Sequence, residues 1–282
     1  MAYVKLCVIV NETLHLYISR MILELAVVLI LVLAISVFAY RGSVHEFQIL
    51  QRDYVTHTPW DELLNEQLPV VIRGVPKSLQ GGWNESRTAA KRWPVIIQDA
   101  KHSRRYKTTW DAYLKEQTLN QPTNPHELAE IAKLDETLQN WTADGFRKYY
   151  WIPTSTPKPV VAQPSYTQGV TKAVAEATLI TNTEGGALHI WLAHGGAVPS
   201  NVVAELRGKN PWIQTTDEIP WISEVKYVEI IVRPGNALLV PRHWYYAIQA
   251  ADSNQTPTWY WVGEFHSPVS WLVSKLSPTA RA

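Results

Sequence analysis

The chain has 282 residues, of which 46% are hydrophobic and 18% charged, a balance that suits one large or two small packed domains and argues against disorder. A formal net charge of +1 leaves no global field that would point to nucleic acid or to an acidic partner. The single cysteine, Cys7, excludes an intrachain disulfide and, in the globular part of the chain, any thiolate metal site or cysteine nucleophile.

Thirteen Trp and thirteen Tyr against four Phe is the strongest compositional bias. These side chains bury large areas yet want a partner for their N–H or O–H, which suits barrel cores, binding grooves and membrane interfaces.

Residues 1–20 are a mixed tail. Met21 to Tyr40 (MILELAVVLILVLAISVFAY) then carries Glu24 as its only charge and matches the ~20 residues needed to cross a bilayer. A buried core helix would show a polar stripe. A cleaved signal peptide is the nearer rival, although the apolar run exceeds an ordinary signal core and lacks a basic flank if Met21 is the start. The expectation is therefore a single-pass membrane anchor over 21–40. Lys5 and Arg20 balance Arg41 and Arg52, which leaves the side of the globular domain open.

A stalk over 41–58 precedes one domain over 59–276, and residues 277–282 form a tail. In that domain Pro69 to Arg73 reads as a strand, Trp93 to Ile97 as another, and Gln121 to Arg147 as helical from its spacing of Leu and Ile. Lys148 to Gln163, rich in Pro and aromatics, reads as a loop. From Ala177 onward short strands are punctuated by Gly and Pro: ATLITNTE, ALHIWLAH, KYVEIIV, ALLVP, WYYAIQA and TWYWVGEF. A short helix over Pro268 to Leu276 ends the domain. Fold class from pattern alone is mainly β with peripheral helices.

Three segments carry a family resemblance, and they occur in the family's order. PVVIRG (Pro69 to Gly74), NVVAELRGKNPW (Asn201 to Trp212) and RPGNALLVPRHWYY (Arg233 to Tyr246) resemble signatures of the cupin-like (JmjC-type) Fe(II)/2-oxoglutarate oxygenases. TTWDAYLKE (Thr108 to Glu116) is similar to a small helix of that family. The resemblance implies a double-stranded β-helix, or jelly roll, which would follow the N-terminal transmembrane helix expected from the apolar run. It also implies an iron site built from His-x-Asp/Glu and a distal His, with a Lys for the 2-oxoglutarate carboxylate.

The residues depart from that pattern at the chemistry. None of the nine His is followed two positions later by Asp or Glu, the spacing that sets two ligands on one face of a strand. Without gaps, the family metal positions fall on Gly195, Ala197 and Tyr246; a gapped placement moves the first two to His189 and Trp191. The family acid after Pro-Gly is Asn236. The co-substrate positions fall on Asn201 and Asn210, with Lys209 one residue away and, on a strand, on the opposite face. His189 and His194 differ by five positions and so face opposite ways unless the Gly195-Gly196 pair bends the chain. His243, three residues from Tyr246, falls on the wrong face of a strand.

The expectation is a membrane-anchored, catalytically inactive oxygenase homologue that serves as a binding or structural module, with no catalytic residue and no metal. Its pocket candidates are His189, Trp191, His194, Lys209, Trp212, Trp244 and Tyr246. Trp191, Trp212, Trp244, Tyr245, Trp259 and Trp261 suit either a groove for a protein or glycan ligand or a packed core. One alternative is an atypical hydroxylase using Fe(II) and 2-oxoglutarate through His189 or His194 with Glu184 or Glu205. Another is a β-sandwich virion, envelope or glycan-binding ectodomain. No Gly-x-Ser-x-Gly elbow or phosphate-binding loop occurs.

Overall fold

The computed structural model describes residues 20–31, 48–58, 60–81, 94–98, 105–109, 112, 129–130, 133–146, 155–162, 167–220, 222–251, 258–268 and 270–271. The chain divides into two compact units, Met1–Glu46 and Phe47–Ala282. In the first, residues 20–31 are helical and expose the apolar side chains of Met21, Ile22, Leu23, Leu25 and Val27 to Leu31. No described helix is long and apolar enough to cross a membrane; residues 32–40 of the expected span lie outside the described residues.

The second unit is mainly β. Its strands are β1 (Leu50–Asp53), β2 (Val70–Arg73), β3 (Pro94–Gln98), β4 (Arg105–Thr109), β5 (Ser155–Ala162) and β6 (Thr167–Lys172). They continue with β7 (Ala177–Glu184), β8 (Leu188–His194), β9 (Val228–Val232), β10 (Ala237–Pro241), β11 (Trp244–Ala250) and β12 (Thr258–Phe265). Among the described residues of this unit three α-helices accompany them: α1 (Trp60–Leu63), α2 (Leu134–Asp144) and α3 (Ser200–Leu206). A six-stranded sheet runs β1-β2-β10-β7-β12-β5, a four-stranded sheet runs β6-β11-β8-β9, and β3 pairs with β4 alone.

Period-two alternation sorts the side chains into layers. On β7, β10 and β12 one row (Leu179, Ala237, Leu239, Trp259, Trp261, Phe265) packs beneath α2 with Leu134, Leu138 and Trp141. The other row (Ile180, Leu238, Val240, Tyr260, Val262) meets Leu188, Ile190 and Leu192 of β8 and Trp244, Tyr246 and Ile248 of β11 between the sheets. The outer row of the four-stranded sheet (Trp191, Ala193, Ala247) is covered by Val202 and Leu206 of α3 and by Ile219 and Val225.

The tryptophan bias resolves mostly into core. Trp259, Trp261, Trp191 and Trp244 are buried, so they line no open groove; Trp212 and Tyr245 stay half-buried. Two of the buried indoles have backbone acceptors: Trp141 Nε1 donates to Leu79 O (2.8 Å) and Trp261 Nε1 to Gln80 O (3.0 Å). Around Trp141 gather Tyr54, Trp60 and Phe146, with ring centroids 6.2, 6.5 and 6.4 Å away.

Several local expectations change. Residues 50–53, expected in a stalk, form β1 and pair in parallel with β2. Ser155 to Ala162, expected in a loop, is strand β5 despite Pro157 and Pro159. It occupies the sheet edge, where a missing N–H costs no ladder bond. Thr108 and Thr109 end strand β4 instead of opening a helix, and the rest of that expected helix, apart from Ala112, lies outside the described residues. Asn201 to Leu206 belong to α3, and residues 207–210 form a turn with an isolated bridge from Arg207 to Val170. The strand-face argument for Lys209 and Asn210 therefore does not apply.

The packing around Trp141 generates a test. Trp141→Ala removes a fully buried indole and its bond to Leu79, and is expected to cost about 3–5 kcal/mol, read as a lowered urea midpoint.

Candidate functional site

The site is the end of the two-sheet core where β6 finishes, β8 finishes and β11 begins. Antiparallel register puts His194 opposite Trp244, and Tyr246 opposite Leu192 on one side and Thr171 on the other. The β6–β11 ladder slips: Tyr246 faces Thr171 while Ile248 faces Gln168. Three steps on β6 thus match two on β11, a bulge that turns both Gln168 and Thr171 to the side of Tyr246. The turn after α3 pins this bulge. Val170 N donates to Lys209 O (2.9 Å) and Gly208 N to Val170 O (3.0 Å). Gly169 has to be glycine there, because a Cβ would collide with the Gly208 backbone.

Tyr246 is wholly buried, and its phenol is pushed well above the tyrosine range, first by burial and then by the Glu264 charge, with a Gln168 hydrogen bond opposing. Tyr260 Oη also donates to Gln168 Oε1 (3.2 Å), and Glu264 Oε2 pairs with His266 Nε2 (3.2 Å). The position that the resemblance aligns with a distal metal ligand thus holds a neutral phenol in an inter-sheet polar cluster.

At the rim, His194 closes the interior row of β8. Its Nδ1 accepts from Gly196 N (3.2 Å), and its ring meets Trp244 edge-on at 5.3 Å. Trp244 Nε1 donates to Gln67 O (2.9 Å), which tethers the indole across the end of the core. His243 sits in the turn before β11 with φ 72, a left-handed conformation. Its carbonyl accepts from Gly195 N (2.8 Å), and a Cβ on Gly195 would lie 2.6 Å from that oxygen. A ligand side chain at 195 would therefore have to displace the turn. Ala197, in the short 3-10 turn after β8, offers only a methyl group.

Both rim histidines are held below the ordinary histidine value. Burial does this for His194. For His243 burial is followed by the charges of Arg242, Lys172 and His194, with Glu176 opposing. Arg242 Nη1 donates to Glu176 Oε1 (3.3 Å), and Ser267 Oγ donates to the same oxygen (2.6 Å). Lys172 lies over the Tyr245 ring at 5.7 Å.

His189 and Trp191 are on the opposite face of β8, so the gapped placement does not bring them to Tyr246. His189 Nε2 is 2.9 Å from Glu229 Oε2, and its Nδ1 is 3.2 Å from Gln249 Nε2. The carboxylate can only accept, which places the proton on Nε2 and lets Nδ1 accept from the Gln249 amide. Trp212 Nε1 donates to Glu229 Oε1 (3.0 Å), and the Trp212 ring lies 5.2 Å from His189. Asn210 Oδ1 accepts from Trp212 N (2.9 Å), and its amide donates to Thr167 Oγ1 (3.2 Å). This network fastens the 207–213 turn to the outer face of the sheet. Lys209 is exposed in that turn, and Asn201 lies in α3.

Strand parity separated His189 from His194 correctly, but it also separated His243 from the site, where the structure joins it to His194. A left-handed turn breaks the alternation, and the signal was the Pro241-Arg242-His243 turn sequence itself. Lys172, Glu176, Gln168 and Glu264 carried no motif at all. Glu184 sits at the far end of β7, seven residues from Ala177 and so roughly 23 Å along the strand from the rim, and Glu205 is exposed on α3. Among the described residues no three His, Cys, Asp or Glu side chains form a group able to hold a metal ion. Compared with known proteins, the chain matches no family model and no curated protein.

The rim histidines fix a pH dependence. A histidine held low in the folded state contributes stability that is present above the unfolded value of ~6.5 and is lost as pH falls through the folded value. His243→Asn keeps a residue tolerant of the left-handed turn and removes one titration. Its melting temperature is expected to fall less between pH 7 and pH 5 than that of the parent.

Proposed function

We propose that the second unit is a cupin-like double-stranded β-helix that has lost iron chemistry and serves as a binding or structural module for a protein or glycan. Strand connectivity supports the fold reading. From β5 to β12 the chain crosses between two four-strand runs, β5-β12-β7-β10 and β6-β11-β8-β9, at every step except β8 to β9, which pair within one sheet; this is the weave of a jelly roll with two sheets. The observation that carries the loss of chemistry is Tyr246, a buried, neutral phenol at the family's distal metal position. Gly195 adds to it, since its Cβ site is already taken by the His243 carbonyl. The residues at the family positions do not fit iron, and 2-oxoglutarate has no lysine facing the inter-sheet core on β8.

An anchor over 21–40 fits the same reading, and the exposed apolar side chains of residues 21–31 support it. The full chain is expected to stay with membranes through alkaline carbonate and to leave them with detergent. Release by carbonate alone removes the anchor.

Calorimetric titration of the detergent-solubilised full chain with Mn(II), then 2-oxoglutarate, tests the chemistry. Neither ligand is expected to bind at micromolar concentration. Metal uptake followed by metal-dependent 2-oxoglutarate uptake, reduced in His194→Ala, makes the protein an atypical hydroxylase instead.

A further inference from the structure

Strand β9 forms one edge of the four-stranded sheet, and among the described residues β8 is the only strand paired with it. Val228, Ile230 and Val232 lie opposite Leu192, Ile190 and Leu188 and join the inter-sheet core. Glu229 and Ile231 face outward, and Ile231 is 63% exposed. Free edges are ordinarily blunted by lysine, proline or a bulge. The run Val228-Glu229-Ile230-Ile231-Val232 has none of these; Arg233 and Pro234 come only after it. The edges of the six-stranded sheet differ: β1 presents Gln51, Arg52 and Asp53, and β5 contains two prolines.

We propose that β9 pairs antiparallel with β9 of a second copy of this chain, about a two-fold axis through Ile231. Directly opposed residues in one sheet share a face. The axis must therefore pass through a residue and not between two, or core-facing Ile230 would be set beside an outward neighbour. Centred on Glu229, it sets two carboxylates against each other. Centred on Ile230, it sets Glu229 against an isoleucine. Centred on Ile231, it sets Ile231 against itself and Glu229 against Arg233 of the second copy, twice. That register alone is complementary in both charge and hydrophobicity.

Glu229 keeps its bonds to His189 and Trp212 and has lone pairs left for a guanidinium. Exposed Tyr227 and Ile213 add apolar surface beside the strand. The outward N–H and C=O groups of β9 become paired, and the two-fold contact closes on itself, so assembly stops at two copies. This pairing depends on β9 alone and stands or falls separately from the iron reading.

The test uses the full chain in detergent on a Cys7→Ser background, with mass measured by light scattering after size exclusion. The parent is expected to be dimeric with a melting temperature that rises with protein concentration, and Ile231→Lys monomeric with an unchanged far-UV circular dichroism spectrum and a melting temperature independent of concentration. Under mild oxidation Ile231→Cys is expected to form a disulfide-linked dimer, and Arg233→Cys, whose counterpart is Glu229, is not. A folded parent that is monomeric, a dimer that survives Ile231→Lys, or equal cross-linking at 231 and 233 overturns the proposal.

Discussion

Burial on both faces of β7, β10 and β12 is the constraint from which the rest of the second unit follows. A strand with one face in water tolerates polar residues at every second position, whereas these three are buried on both faces along most of their length and are mainly apolar. Their two rows therefore demand two covers, α2 with its tryptophans on one side and the four-stranded sheet on the other. The four-stranded sheet is in turn left with an outer row, which α3 and the segment after it cover. Asn182, fully buried on β7, bonds inward: its Nδ2 donates to Val232 O at 2.8 Å and to Gly186 O at 3.0 Å.

The same logic explains the RPGN turn. Gly235 adopts φ 80, and Asn236 N donates to Arg233 O (3.1 Å), closing the turn between β9 and β10. The Asn236 side chain accepts from Gly74 N (3.1 Å), and its backbone carbonyl accepts from Asn182 N (3.0 Å). A position that reads by resemblance as a lost acid is here a structural clamp joining β2, β7 and β10. The amide oxygen serves that purpose without adding a charge.

Most strands were legible because hydrophobic alternation is a local property. TWYWVGEF and LHIWLAH state their own faces, and the structure keeps them. What the pattern hid was set by position in the sheet or by turns. Pro157 and Pro159 disguised β5, which is permitted only because β5 lies at an edge. The stretch NVVAELRGK resembles a signature of the oxygenase family and reads as extended at Lys209, yet Ala204, Glu205 and Leu206 are good helix formers and the chain uses them so. The rim cluster was illegible for a different reason. Lys172, His194 and His243 come from three separate strand ends, and only the left-handed turn at His243 brings them together.

The placement of β12 has a kinetic consequence. It is the last strand described, yet it lies inside the sheet between β7 and β5, with Trp261 opposite Thr181 on one side and Pro159 on the other. During synthesis, β5 and β7 emerge long before the strand that must join them. Their facing edges and the row destined for α2 stay open until the chain has passed Phe265. Contacts this distant in sequence slow folding and prolong the exposure of unpaired strands. A nascent chain stalled before β12 has emerged is therefore a natural client for a holding chaperone.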